Sequence, residues 1–382
     1  AEAGALCAEA LMDLRPWDLW TKDGEPQPET PEILAVLERV LELDPEHVGA
    51  NHLAIHAWEM SPTPGKALPS ADRLRTLVPG AAHLMHMPAH IDLRLGHYDT
   101  AVRANQAAIA AARARVERSG PGGFYALYRA HNYHFLVYAA QFEGRHALAL
   151  ANARELVREL PVELVAAMPE FIEGFLATPL HVLVRFGKWP EILAEPEPAA
   201  PLLGTRAFWH YARGLAFSAL ARLDEAADEQ LAFESACAAV PESFSMGNNS
   251  TRTVLEIGRA MLAGELEYRR GHFAEAFAHL RDAVARDEAL RYDEPWGWFQ
   301  PPAHALGALL LEQGELDEAE AVYRRDLARH PGNGWGLFGL EECLRKKGEA
   351  DEARAVAAAF QTSWKRADVT LTASCYCRTG PR

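Results

Sequence analysis

The chain has 382 residues, of which 49% are hydrophobic, so it is long enough to bury a large core. Its formal net charge of −15 leaves no basic stripe that could displace counterions from phosphates, which argues against a nucleic-acid-binding protein. No apolar run approaches the roughly 18 residues of a membrane-spanning helix, so we expect no membrane partner.

The cysteines and the first residues bear on the cellular compartment. The chain has five cysteines, an odd number, and Cys7, Cys237 and Cys343 stand singly within helical patterns. This distribution is not that of a disulfide framework. The opening stretch AEAGALCAEALMDL lacks the basic start and apolar segment of a secretory signal. We therefore expect a cytoplasmic protein.

Helical patterns follow one another along almost the whole chain, and strand signals are nearly absent. Ala, Leu, Glu and Arg recur at helical spacing, interrupted by loops such as TKDGEPQPETP and AEPEPAAPLLG. The stretch VLERVLELDP closes a first helical unit at Pro45. Small residues and helix-ending residues then mark later units in chain order: Ala67, Ala71 and Pro79; Gly96 and Ala101; Gly144 and Ala149; Gly187; Ala226; Gly271 and Ala276.

The clearest repeat lies near the C-terminus. The stretch LGALLLEQGELDEAEAVYRRDLARHPGN contains Gly314 and Ala319, and the same pattern returns 34 residues later with Gly348 and Ala353. This resembles the tetratricopeptide repeat (TPR), a helix–turn–helix unit of about 34 residues. The resemblance implies an all-α, right-handed solenoid of about nine helical pairs over residues 1–365, followed by a tail over residues 366–382.

The resemblance also implies which side chains line the concave groove. In the TPR family these are the second, fifth, ninth and twelfth positions of each first helix. Seven of the 16 histidines and one glutamate occupy such positions on three successive first helices. They are His52, His56 and Glu59 in one unit, His83, His86 and His90 in the next, and His131 and His134 in the third.

Histidines at i, i+3 and i+4 share one helical face, which is how helices commonly present metal ligands. The sequence therefore predicts one or two transition-metal ions, with copper or iron favoured and zinc possible. The first-choice ligands are His52, His56, His86 and His90, followed by His131 and His134. His83 and Glu59 are predicted as ligands, as partners of ligands or, for Glu59, as a catalytic general base.

Three other features are candidates for function. His181 and His304 fall singly on groove positions and are predicted substrate contacts or plain polar lining. Cys375 and Cys377, in TASCYCRTG, have two interpretations. They lie in an exposed, inert tail, or the tail returns to the groove and their thiolates are soft metal ligands. Large aromatic residues cluster late in the chain and are predicted to pack between repeats.

Two functions remain open at this point. NHLAIHAWE, HLMHMPAHI and HNYHF resemble segments of a bacterial group of TPR-containing proteins, a likeness that implies a fold and no reaction. In the first function, the groove holds metal and the protein is an oxidoreductase or hydrolase acting on a small molecule or peptide. In the second, the protein is a scaffold that binds a partner peptide, and the histidines are polar lining.

Overall fold

The computed structural model of the chain describes residues 1–120, 123 and 125–378. Helices make up nearly all of the regular structure among the described residues, with one short β-hairpin in which β1 (Ser245–Met246) pairs antiparallel with β2 (Asn249–Ser250). Among these residues, no helix is long and apolar enough to span a bilayer.

The helices in the first part of the chain are α1 (Glu2–Met12), α2 (Thr30–Leu43), α3 (Val48–Glu59), α4 (Leu68–Leu77), α5 (Ala82–His86), α6 (Pro88–Arg94), α7 (Tyr98–Ser119) and α8 (Tyr125–Phe142), with a 3₁₀ turn at Pro64–Ala67. Those that follow are α9 (His146–Glu159), α10 (Val162–Ala167), α11 (Pro169–Leu176), α12 (Thr178–Arg185), α13 (Trp189–Ala194), α14 (Leu203–Ala219), α15 (Leu223–Ala239), α16 (Thr251–Arg269), α17 (Phe273–Ala289), α18 (Pro302–Gln313), α19 (Leu316–Arg329), α20 (Gly334–Lys347) and α21 (Ala350–Trp364).

The chain divides into two compact units. The first is Ala1–Ala139 together with Arg291–Glu294, and the second is Ala140–Leu290 together with Pro295–Arg382. Within each unit, helices that follow one another pack in pairs, such as α1 on α2 or α16 on α17, and each pair packs on the next. The predicted all-α solenoid packing is confirmed within each unit. That residues 1–365 form a single repeat domain stays a prediction.

Helix α2 shows how sequence produces this packing. Pro31 lies in its first turn, where a missing N–H leaves no hydrogen bond unmade. Ile33, Leu37 and Val40 follow at helical spacing and are all buried, so they form one apolar stripe. That stripe joins α1 and α3 in a common core, and burial of such side chains contributes about 1.5–3 kcal/mol each.

The C-terminal repeats owe their close packing to small residues. Gly314 and Gly348 end α18 and α20 in the left-handed region, at φ 83° in both cases, which glycine adopts without strain. A Cβ atom on Gly339 would lie 2.1 Å from the ring of Tyr323, which is itself fully buried. The absence of a side chain at Gly339 therefore allows α20 to approach α19.

One predicted helix is interrupted. The sequence places His83, His86 and His90 on one face of one helix, but α5 ends at His86 and α6 begins at Pro88. Proline has no backbone N–H and its ring clashes with the preceding turn, so the helix breaks there. His90 therefore belongs to a second short helix, although its Nε2 still lies 2.8 Å from that of His86.

The predicted exposure of the C-terminal tail is wrong. Cys377 and Ser374 are buried, and Ser374 Oγ donates a hydrogen bond of 2.9 Å to the backbone oxygen of His304. Arg269 donates to the backbone oxygen of Cys377 at 2.6 Å. The segment is polar, but helices of its own unit satisfy its polar groups, and this permits burial. Cys375 and Cys377 form a disulfide in the second unit, so neither sulfur is a thiolate available to a metal.

We expect Gly339→Ala to lower the free energy of unfolding by about 1–3 kcal/mol, because the new methyl group overlaps the Tyr323 ring. Gly49→Ala is the matched control, since its Cβ would meet its nearest neighbour, His47, at an ordinary 3.5 Å. Urea unfolding of both variants checks this. Equal stability of Gly339→Ala and the parent would show that the helices are not in close contact at this position.

Candidate metal centre

Four helices of the first unit carry the predicted site residues. His52, His56 and Glu59 lie on α3, His83 and His86 on α5, and His90 on α6, while α8 carries His131 and His134. Six of the seven histidines fall into two groups of three whose ring nitrogens lie within 4.8 Å of one another. The first group (the outer triad) is His52, His56 and His83, and the second (the inner triad) is His86, His90 and His131.

The outer triad has the spacing of ligands around one ion. His52 Nε2 lies 3.2 Å from His56 Nε2 and 3.1 Å from His83 Nε2. Two nitrogens bound tetrahedrally to one ion at 2.0–2.1 Å are about 3.3 Å apart. The three rings are half-buried. These three nitrogens could therefore hold one ion with little movement.

The inner triad presents an electrostatic problem that a cation solves. His86 Nδ1 lies 2.7 Å from Asn105 Oδ1, whose own amide nitrogen donates to the backbone oxygen of Ala101, so His86 Nδ1 carries the proton. His90 Nδ1 likewise donates to the carboxylate of Glu59 at 2.5 Å. In the neutral rings both Nε2 atoms then bear lone pairs, and they face each other at 2.8 Å. Two lone pairs at this distance repel unless a proton or a metal ion lies between them.

Glu59 joins the two triads. Its Oε1 accepts from His56 Nδ1 at 2.7 Å and its Oε2 accepts from His90 Nδ1, so one carboxylate fixes a tautomer in each triad. Burial alone would raise the pKa of the Glu59 carboxyl, but its electrostatic interactions and hydrogen bonds with His90 and His56 hold that pKa well below its usual range. The geometry is that of a carboxylate that orients metal-binding histidines.

The segment Arg291–Glu294 completes the surroundings of Glu59 and was missed by sequence reasoning. Tyr292 donates its hydroxyl to Glu59 Oε2 at 3.1 Å, although the two residues are 233 positions apart. Glu294 lies 3.7 Å from His90 Nδ1, and burial together with the Glu59 charge raises its pKa well above the usual value. Glu294 is therefore harder to ionise than Glu59, whose pKa is lowered. No local sequence pattern predicts the contact between Tyr292 and Glu59, or the one between His86 and Asn105.

Burial sets the protonation of the imidazoles. It lowers the pKa of His52 to about 3 and of His83 to about 4, with neighbouring histidines adding to the effect. The pKa values of His86 and His131 are lowered well below the usual range by the same causes. All four rings are therefore neutral at neutral pH, which is the form that binds metal.

The site is more enclosed than the sequence suggested. A groove open to solvent was expected, but His86 and His90 are 0% and 2% exposed and Glu59 is 1% exposed. The reason is that α7 and the segment Arg291–Glu294 supply covering side chains that no repeat register reveals. His134 belongs to neither triad among the described residues, and burial lowers its pKa to about 3.

His181 and His304 lie in the second unit and are buried at 2% and 1% exposure. The His181 ring centroid is 3.8 Å from that of Phe208, in an aromatic cluster with Trp298. His304 Nε2 lies 2.8 Å from Asp326 Oδ2, and Arg185 donates to its Nδ1 at 2.7 Å. Both rings are engaged by their own unit instead of lining an open groove. Of the aromatic residues late in the chain, Trp209 and Trp298 pack in this interior, as predicted.

Two cavities border the outer triad and differ in charge. One, of about 490 Å³, includes His52 and the acidic residues Glu2, Glu9, Asp44 and Glu46. The other, of about 290 Å³, includes His83 and the basic residues Arg115 and Arg129.

Comparison with known proteins identifies the repeats. Residues 310–359 match the tetratricopeptide repeat family. The repeat predicted near the C-terminus is therefore confirmed over residues 310–359. A 76-residue stretch is 41% identical to cellulose synthase operon protein C of Pseudomonas fluorescens (strain SBW25), which is 20% of this chain and only 6% of that protein.

Solved structures resemble the chain weakly over most of its length. A Rap protein complexed with competence and sporulation factor is 12% identical with a TM-score of 0.38, covering 96% of this chain and 99% of its own. The P58(IPK) TPR domain is 11% identical with a TM-score of 0.26, covering 94% and 92%. Naa15/Naa10 bound to HypK-THB is 14% identical with a TM-score of 0.23, covering 94% and 63%. At these TM-scores the likeness assigns no partner to this chain.

We expect the metal-free protein to lose stability as the pH falls below about 6.5. In this range the histidines of the unfolded chain become protonated, whereas the buried rings of the folded protein stay neutral. His134, whose folded pKa is about 3, isolates the effect. His134→Leu should reduce the pH dependence of the unfolding free energy by up to about 1.4 kcal/mol per pH unit between pH 6 and 4.

Urea unfolding at several pH values, in chelator, measures this slope. His279→Ala, at an exposed position of α17, is the control and should leave it unchanged. Burial raises the pKa of Glu173 to about 7, so this residue makes the folded protein more stable as the pH falls. Because that effect opposes the effect of His134, the slope has to be compared between variants. An unchanged slope in His134→Leu would mean that this ring is protonated in the folded state.

Proposed function

We propose that the chain is a metalloprotein that binds two transition-metal ions, one in each histidine triad, and that it is a metal-dependent enzyme. The observation that carries this proposal is the pair of lone pairs on His86 and His90, which face each other at 2.8 Å because both opposite nitrogens donate elsewhere. A protein gains nothing in stability from this arrangement, whereas a cation relieves it.

The donor chemistry favours copper, with zinc as the alternative. Both triads consist only of imidazoles, which suit copper and zinc, while the di-iron sites of helical bundles use several carboxylate ligands. Both oxygens of Glu59 already accept histidine protons, so this carboxylate is better suited to orienting ligands than to binding metal. Iron, which the sequence left as an equal choice, fits this donor set less well.

The enzymatic part of the proposal rests on coordination number. Three protein ligands leave a position open on each ion, as in catalytic and not in structural sites. An ion held in this way supplies Lewis acidity or redox chemistry to a bound small molecule. The protein residues orient the imidazoles, keep them neutral and exclude water from His86 and His90, the two buried members of the inner triad.

Metal titration of the full chain tests the stoichiometry. We expect two equivalents of copper or zinc to bind the parent protein by calorimetry and elemental analysis. His52→Phe should remove one equivalent and His131→Phe the other, because each belongs to a different triad. His279→Ala is the control. Loss of both equivalents in either single variant would indicate one shared site, and tight binding by the double variant would reject the site altogether.

Glu59→Gln probes the carboxylate bridge. An amide offers one acceptor and one donor, so it can satisfy only one of the two Nδ1–H groups of His56 and His90. We expect metal affinity to fall about 10–100-fold while the helical content measured by circular dichroism is retained. Unchanged affinity in Glu59→Gln would instead support the general-base role that the sequence allowed.

The repeat match supports a second candidate, a scaffold that binds a peptide. It predicts that partner binding does not need metal. The decisive comparison is between metal-free and metal-loaded protein in an affinity capture with synthetic peptides, alongside the titration above. Full peptide binding by protein that takes up no metal would replace the enzyme proposal with the scaffold.

A further inference from the structure

The cavity of about 290 Å³ beside His83 has the features of a ligand site. It lies among α5, α7 and the first part of α8, and its lining residues all belong to the first unit. Four alanines and one valine form the apolar part of its walls, beside several polar and aromatic side chains. Six residues give it its chemistry: His83, Arg115, Tyr125, Tyr128, Arg129 and Asn132. Apolar walls with few polar groups are typical of small-molecule sites.

Asn132 shows that this cavity is more than a packing gap. The residue is 1% exposed, and neither the oxygen nor the nitrogen of its side-chain amide has a hydrogen-bond partner among the described residues. Leaving such groups buried and unpaired costs about 1–3 kcal/mol each. An amide that offers both a donor and an acceptor to a cavity is placed to bind a ligand with oxygen atoms.

The charge of the cavity selects anions. Arg115 and Arg129 line it, and none of its described lining residues is acidic, although the whole chain carries a net charge of −15. The Arg115 guanidinium lies 3.7 Å from the centroid of the Tyr125 ring, a cation–π contact that restrains it. The neighbouring cavity at His52 has the opposite charge, so an anion is directed to the side of His83.

The cavity is connected to the proposed metal centre through one ring. His83 lines it, and the Nε2 atom of the same ring lies 3.1 Å from His52 Nε2 in the outer triad. The Tyr128 ring packs edge-on against His83, with the centroids 5.2 Å apart. A molecule held between Arg115 and Tyr128 therefore lies against a proposed metal ligand.

We propose that this cavity binds a small organic carboxylate with an aromatic or apolar body, and that this is the substrate class of the metal centre. The substrate assignment rests on the proposed function, whereas the binding of the carboxylate does not. Arginine and the Asn132 amide match a carboxylate, and the tyrosine rings match the body. A phosphate carries more charge and a third oxygen, which would face the alanine side chains of the cavity.

Calorimetry with benzoate and its neutral isostere benzamide tests the inference on the full chain, both metal-free and metal-loaded. We expect benzoate to bind at least about tenfold more tightly than benzamide, a difference of roughly 1.4 kcal/mol. Equal binding of the two, or no binding of either, would overturn the proposal. Tighter binding of phenyl phosphate than of benzoate would overturn the choice of a carboxylate.

Two variants connect binding to the cavity. Asn132→Leu should weaken benzoate at least about tenfold without lowering the melting temperature, because it removes two unpaired buried polar atoms from a similar volume. Arg115→Met should weaken benzoate more than benzamide. Arg118→Met, exposed on the same helix and away from the cavity, is the matched control. A melting temperature that falls in Asn132→Leu with benzoate affinity intact would make Asn132 structural and overturn its role.

The design separates the two proposals. If benzoate binds as expected but the histidine triads take up no metal, the carboxylate site stands and the metal centre fails. If metal binds and benzoate does not, the metal centre stands and the substrate class fails. If both bind, His83→Ala should change the metal titration and the benzoate affinity together, because that ring belongs to both sites.

Discussion

The histidine cluster depends on one buried carboxylate. Glu59, at the end of α3, accepts protons from His56 on its own helix and from His90 on α6. These two bonds set which nitrogen of each ring is protonated and turn the opposite nitrogens toward the other imidazoles. A buried charge is costly unless it has partners, and Glu59 is only 1% exposed. Tyr292 and Glu294, whose own pKa is raised, supply the remaining partners.

Burying the histidine cluster lowers the stability of the folded protein, which is a reason to regard the cluster as functional. Burial lowers the pKa of ring after ring, so the folded protein resists protonation that the unfolded chain accepts. The helical pairs bury their own apolar stripes, as α2 does with Ile33 and Leu37, and need no polar cluster to pack. A buried polar cluster that the packing of the helices does not require is expected at a functional site.

The sequence predicted what local spacing controls. The spacing of glycines and alanines predicted the helical pairs. The seven histidines on first helices predicted the cluster, and six of these histidines lie in the two triads. What it missed depends on contacts between distant residues or on one backbone detail. Asn105 and Tyr292 come from other elements, Pro88 breaks a helix that periodicity drew as continuous, and Ser374 is buried because distant groups satisfy it.

The position of Glu59 also explains why two triads occur and not one larger cluster. A single carboxylate has two oxygens, and each orients one ring, His56 in the outer triad and His90 in the inner. The two rings are therefore held apart by the carboxylate, with their centroids 5.4 Å from each other, while their Nε2 atoms face different partners, His52 and His86. The Glu59 carboxylate thus orients one imidazole in each triad, and a substitution at Glu59 must change the ligand geometry of both triads together.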